Sequence, residues 1–229
     1  MESPARHRAA RLLLAAFALV TAVDLVALLA GTGTPHLVAK PLLMPLLAAY
    51  VVVRGGPRLL TAALLFGWGG DVLLLLHADI AFLAGMGSFA AGHVCYLVLF
   101  KRAGTPRARG VLLAAAYAVA LVTTVTLLWP DLPADMRGPV AGYSLLLTAM
   151  AYGSSRLGRT AGLGGALFLL SDTLIATGVA HWPQLPRPDF WVMLTYIAAQ
   201  YLLARGSLEA VSAPTGEAAA YRERRPTPT

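Results

Sequence analysis

Residues 59–76 read LLTAALLFGWGGDVLLLL, and this stretch decides the fold. Only Asp71 in it carries a charge. The hydrocarbon core of a bilayer is about 30 Å thick, so a helix rising about 1.5 Å per residue needs roughly 20 mostly apolar residues to cross it. The run is close to that length and is continuously apolar. A barrel strand would instead alternate apolar and polar residues over about ten positions. Only helices and closed barrels satisfy the backbone inside lipid, so the run reads as a spanning helix. Working outward, similar runs lie near 12–30, 35–53, 80–100, 110–129, 138–155, 161–180 and 190–204, the last being short. The expected fold is therefore an all-α polytopic integral membrane bundle of eight transmembrane helices spanning residues 1–205. From Gly206 the composition turns to Pro, Thr, Ser, Glu and Arg, and residues 206–229 are expected to form a disordered cytoplasmic tail.

Composition points the same way. The 229 residues are 58% hydrophobic and 13% charged, with mean hydropathy +0.68. A soluble domain carries roughly 25% charged residues. The net charge of +7 does not indicate nucleic-acid binding, because the basic residues are scattered over short loops with no continuous patch. They do fall on one side. All of the 18 Lys and Arg except Lys40, Arg137 and Arg187 sit in the N-terminal segment, the tail and alternate loops. Positive loops stay inside, so the chain is expected in the cell membrane with both termini cytoplasmic and its basic loops against anionic lipid. Arg6, Arg8 and Arg11 before an apolar run imitate a secretory signal. That run is longer than the usual h-region, holds Asp24 and lacks a clear small-x-small cleavage site, so it reads as a retained first helix. The single cysteine, Cys95, excludes an intrachain disulfide.

Five ionisable residues fall inside the apolar runs: Asp24, Lys40, Asp71, His93 and Asp172. Charges in a bilayer are costly, so such residues are functional candidates by default. Counted at about 1.5 Å per residue from the cytoplasmic end of each helix, Asp24 and Asp71 lie at about 18 Å, Asp172 near 16 Å and Lys40 near 20 Å. His93 near 10 Å and Tyr196 near 12 Å form a deeper layer. Four charges at one depth on four helices suggest one polar site. Gly67 and Asp71 share a helix face, as do Gly165, Phe168 and Asp172, and Phe89, His93 and Tyr96. Small residues on such faces let helices approach closely. Pro41 and Pro45 follow Lys40 and are expected to kink that helix. The blander roles are specific too: Asp24 as an interhelical hydrogen bonder, Lys40 paired with Asp24 or reaching the outer interface, His93 as a core histidine, and Tyr196 with Gln200 as helix–helix glue.

Other chemistry finds little footing. There is no H-E-x-x-H, Walker loop or G-x-S-x-G. A metal site is not expected, because zinc wants several close His, Cys or carboxylate ligands and the helices offer His93 alone. An intramembrane aspartyl protease would want Gly-x-Gly-Asp, whereas 68–71 reads Trp-Gly-Gly-Asp and the other aspartate follows Ser171.

Five stretches in order carry a resemblance: KPLLMPLL at 40–47, ALLFGWGGDVLLLL at 63–76, FLAGMGSFAAGHVCYLVLF at 82–100, GALFLLSDTLIA at 165–176 and TYIAAQ at 195–200. Together they resemble the YhhN family of membrane proteins, whose animal members are lysoplasmalogenases. The stretch before Gly70-Asp71 departs modestly, with Gly-Trp-Gly in place of a Ser- and Leu-rich sequence. The resemblance implies an eight-helix bundle that hydrolyses the vinyl ether of lysoplasmalogens, or a related lysolipid ether, to a fatty aldehyde and a glycerophospho-headgroup. It implies no metal or cofactor. Vinyl ethers hydrolyse through protonation of the β-carbon and an oxocarbenium ion, which asks for a proton donor and a carboxylate. Asp71 and Asp172 are expected to face each other across a lipid pocket in these roles, with His93 in reserve. Lys40, Asp24, Tyr196, Gln200 and Ser88 are the expected substrate-binding residues. A proton-coupled transporter or lipid-binding protein is the alternative. It is disfavoured because helices 1–4 and 5–8 show no convincing repeat and helices 5 and 6 carry no ionisable residue in their interiors.

Overall fold

The computed structural model describes residues 4–76, 78–104 and 110–212. Among these, eight α-helices run in sequence. They are α1 Pro4–Ala30, α2 Gly33–Val53, α3 Arg58–Leu74, α4 Asp79–Ala103, α5 Gly110–Leu128, α6 Ala134–Ser154, α7 Arg159–Val179 and α8 Pro188–Ser212. Five of them, α1, α2, α4, α5 and α7, are long and apolar enough to cross a bilayer by length and composition. The shorter α3 and the more polar α6 and α8 stand below that level.

The breaks fall where the backbone chemistry puts them. Gly31 at φ 71° ends α1, and Gly55 at φ 68° followed by Pro57 turns α2 into α3. A short 3-10 turn at Ser155–Leu157 and Gly158 at φ 121° separate α6 from α7. Pro41 and Pro45 lie inside α2, which nevertheless runs on as one helix. The last helix does not stop at residue 205, where the composition changes. Helix α8 continues to Ser212, and Gly206, Ser207 and Leu208 are buried. An alanine methyl at Gly206 would lie 2.6 Å from the backbone nitrogen of Ala161, so α8 and α7 press together there. Residues 213–229, the greater part of the expected tail, lie outside the described residues.

Successive helices pack as neighbours around a closed circuit, except that α4 meets α6 directly and α8 returns to α1, α2 and α3. The core between them holds Leu43, Leu47, Leu60, Leu64, Phe100, Met150, Phe168 and Leu203, all nearly or wholly inaccessible. Helix α5 stands apart: it leans on α6 and α7, and Leu128 is its one buried residue. A smaller apolar cluster of Leu128, Leu132, Val140 and Ala180 ties the end of α5 to α6 and to the end of α7. Trp182 Nε1 donates to Asp131 Oδ2 over 2.7 Å across the two adjoining connections.

Candidate functional site

A cavity of about 300 Å³ lies among α4, α5, α6 and α7, with Leu74 of α3 at its edge. Its wall is mainly apolar, including Phe82, Met86, Phe89, Leu121, Leu147 and Leu169. The polar exceptions are Thr124, Tyr143, Ser144, Thr148, Asp172 and Thr173. Asp172 is the only carboxylic acid among the wall residues. Ala166 and Leu170 belong to the wall yet are exposed on the outside of α7, so the cavity reaches the surface between α5 and α7.

The α6 contribution follows from helical spacing. Val140, Tyr143, Ser144, Leu147 and Thr148 stand at i, i+3, i+4, i+7 and i+8, one stripe of the helix. Behind that stripe α6 and α7 come close: a methyl at Gly165 would meet Ser154 Oγ and lie 2.9 Å from the Ala151 carbonyl oxygen. This contact places Asp172, two turns further along α7, beside Tyr143. The Tyr143 hydroxyl donates to Asp172 Oδ2. The same hydroxyl lies 3.0 Å from His93 Nε2 on α4. His93 is buried, its ring edge-on to Phe168 at 4.9 Å between centroids.

Asp71 lies in a second network away from the cavity wall. Tyr196 of α8 donates to Asp71 Oδ2 over 2.8 Å. Gln200 Nε2 donates to the Tyr196 hydroxyl over 3.3 Å, and Tyr96 of α4 donates to Gln200 Oε1 over 2.7 Å. All four residues are buried. Phe89 and Phe168 lie between the networks, both packed edge-on against Tyr196. The two aspartates are within electrostatic reach of each other but share no hydrogen bond.

A third group joins α1 to α2. Asp24, fully buried, accepts from or pairs with His36 Nδ1 at 2.8 Å. His36 stands at the edge of its apolar run and was missing from the histidines weighed from sequence. It takes the place opposite Asp24 considered for Lys40. Lys40, one turn along α2 and half-buried, lies within electrostatic reach of Asp71 and off the cavity wall. Ser88 donates to the Phe66 carbonyl over 2.6 Å and so clamps α4 to α3.

The structure thus brings Asp172 and His93 together through Tyr143, and Asp71 together with Tyr196 and Gln200. It sets Asp24 and Lys40 apart from the cavity. Tyr143 escaped sequence reasoning, because it has no polar partner at i±3 or i±4 such as Gln200 gives Tyr196. Its presence corrects the view that helix 6 has no ionisable interior residue. The stripe from Val140 to Thr148 was the available clue, since it mixes hydroxyls into an otherwise apolar face.

Lysoplasmalogenase TMEM86B of Homo sapiens is 36% identical over 154 residues, which is 67% of this chain and 65% of that protein. The Sus scrofa protein of that name is 37% identical over 167 residues, 70% of this chain and 71% of its own. A lysoplasmalogenase of Mycobacterium tuberculosis is 31% identical over 174 residues, covering 71% and 65%. The chain therefore spans just under two thirds of the human relative's length. No solved structure matches it. A profile of the YhhN family matches residues 35–207, from the first turn of α2 almost to the end of α8 and through every residue of the two aspartate networks. The resemblance first visible in five short stretches extends over that whole span, and the chain belongs to the YhhN family.

Proposed function

We propose that this protein is a membrane-embedded hydrolase that cleaves the vinyl ether of a lysoplasmalogen, or a related lysolipid ether, to a fatty aldehyde and a glycerophospho-headgroup. In this reading all eight helices span the membrane and both termini are cytoplasmic. The observation that carries the proposal is the cavity: an apolar space that opens at the surface of the bundle, with one carboxylic acid on its wall. A single acyl-type chain fits such a space, and an acid at its wall meets the bond where chain joins glycerol. The names of the relatives at 31–37% identity support the substrate class.

Asp172 acts as the catalytic acid. Its carboxyl proton passes to the β-carbon of the vinyl ether, leaving an oxocarbenium ion beside the new carboxylate. Water adds to the cation and gives its proton to that carboxylate, restoring the acid. The hemiacetal then collapses: the C–O bond to glycerol breaks, the hydroxyl proton ends on the departing oxygen, and the aldehyde is released. Atoms and charge balance without a cofactor or an oxidant. Asp71, off the wall, sets the electrostatics of the site from within its tyrosine network and does not touch the substrate. Lys40, with its charge near Asp71, belongs to the same background.

Purified protein incubated with a 1-alkenyl lysophospholipid, with a coupled aldehyde readout, tests the proposal. Aldehyde release at rates far above the uncatalysed reaction, lost in Asp172→Asn, is the expected result. A well-folded protein that releases no aldehyde from alkenyl lysolipids of either ethanolamine or choline headgroup refutes it and favours the transporter reading.

A further inference from the structure

Tyr143 and His93 form a directed chain that ends on the cavity carboxyl, and proton counting fixes its direction. A tyrosine hydroxyl has one proton. With the transferable proton of the Asp172 acid on Oδ1, the tyrosine proton goes to Oδ2. The contact of 3.0 Å between that hydroxyl and His93 Nε2 can then be a hydrogen bond only if the imidazole is the donor. His93 therefore carries its proton on Nε2. Its Nδ1 is a bare, buried acceptor with no hydrogen-bond partner. The faces of the imidazole are taken up by Phe168 and by the Tyr143 ring, at 4.9 Å and 5.5 Å between centroids. Oδ2 of Asp172 is thus engaged, while no hydrogen bond among the described residues engages Oδ1, and the residue faces the cavity.

We infer that Tyr143 and His93 are positioning residues that hold Asp172 with Oδ1 as the reacting atom, His93 acting as a fixed Nε2–H donor and not as an acid or base toward substrate. The inference rests on the hydrolase reading and adds two residues and a handedness to it. The tether also explains why His93 sits next to the site without lining the cavity: it supports Tyr143, and Tyr143 supports the acid. An unrestrained carboxyl would rotate about its Cβ–Cγ bond and present either oxygen, and a misplacement of about 1 Å costs on the order of 10²-fold in rate.

The experiment uses full-length purified protein with Tyr143→Phe, His93→Gln and His93→Leu. The amide nitrogen of glutamine reaches the position of Nε2 and donates a hydrogen bond, but it has no tautomers and no useful basicity. Expected are a fall of roughly 10²-fold in kcat with little change in KM for Tyr143→Phe and His93→Leu, and recovery to near wild type in His93→Gln. The Tyr143→Phe, His93→Leu double variant should be no slower than the slower single, because the pair works as one unit. Nitrogen-15 NMR of histidine-labelled protein supplies a second readout that needs no turnover: His93 should be neutral with its proton on Nε2, and that signal should shift in Tyr143→Phe. Active wild type with an unimpaired Tyr143→Phe, or a His93→Gln as slow as His93→Leu, overturns the inference while leaving the hydrolase reading intact. A His93 proton found on Nδ1 overturns it whatever the activity. Wild-type protein without activity refutes the hydrolase reading alone, and the tautomer measurement still decides the chain.

Discussion

Replacing Gly70 by alanine puts a methyl group into the ring of Phe89. The added carbon would stand 2.8 Å from the ring Cζ and nearer still to two other ring carbons. Carbon atoms rest at about 3.5–4.0 Å, so ring and helix must part by roughly 1 Å. Phe89 has little freedom to yield. Tyr196 packs against it at 5.9 Å between centroids and Phe168 at 6.4 Å. Its remaining side is the cavity, whose wall it forms. The ring therefore moves into the cavity or α3 moves off α4, and overpacking of this kind costs about 1–3 kcal/mol. If the ring moves, the pocket loses room of about a methylene, a misfit worth roughly 10–200-fold in apolar recognition. Gly70→Ala should thus melt earlier in detergent and show a raised KM for the alkenyl lysolipid, with kcat changed less because Asp172 and Tyr143 lie on other helices. Adding Phe89→Leu should restore much of both losses. Wild-type melting and KM in Gly70→Ala would refute the close approach of α3 to Phe89, and failure of Phe89→Leu to rescue would refute the route through the ring.

Further outcomes are expected elsewhere in the molecule. Asp172→Asn keeps an acceptor for Tyr143 but removes the transferable proton, so kcat should fall by about 10²–10⁴-fold with folding intact by thermal melting. Asp71→Asn should cost less in kcat than Asp172→Asn, and equal losses would return Asp71 to the reacting pair. Lys40→Met should leave KM near wild type, since Lys40 is off the cavity wall; a selective rise in KM would restore it as a phosphate anchor. Reporter fusions after Arg102 and Arg156 should read cytoplasmic and one at Leu132 extracytoplasmic, and the opposite pattern would reverse the orientation.

Each apolar run corresponds to one helix of the bundle, and five of the eight helices are long and apolar enough to cross a bilayer. Helix ends were less legible in the sequence. Arg6, Arg8 and Arg11 lie inside α1, and α8 runs past Gly206, because tertiary contact with Ala161 outweighs a composition that resembles a tail. Depth along each helix gave a height for every charged residue but no bearing around the bundle. Height alone groups Asp24, Lys40, Asp71 and Asp172 into one site, whereas the structure bonds Asp24 to His36 between α1 and α2, Asp71 to Tyr196 of α8 and Asp172 to Tyr143 of α6. The pairing of Tyr196 with Gln200 was visible as i and i+4 on one helix, and the structure uses both in the Asp71 network. Tyr143 and His36 gave no comparable signal, one for want of a polar partner at helical spacing and the other for lying at the margin of an apolar run.

Helix α5 offers almost nothing but side chains to its surroundings. Val111, Leu112, Val119, Val122 and Leu127 are all more than half exposed. In water such a surface would drive association; against lipid tails, which are as apolar as leucine, it is nearly neutral. Helix α5 lines the cavity through Ala120, Leu121 and Thr124, and on the hydrolase reading it is the wall whose displacement costs least and the side on which a single-chain lipid would enter. An enzyme fed in this way meets its substrate in two dimensions. On that reading the quantity that sets the rate is the mole fraction of substrate in the membrane, and inert phospholipid added at constant bulk substrate should slow the reaction by surface dilution.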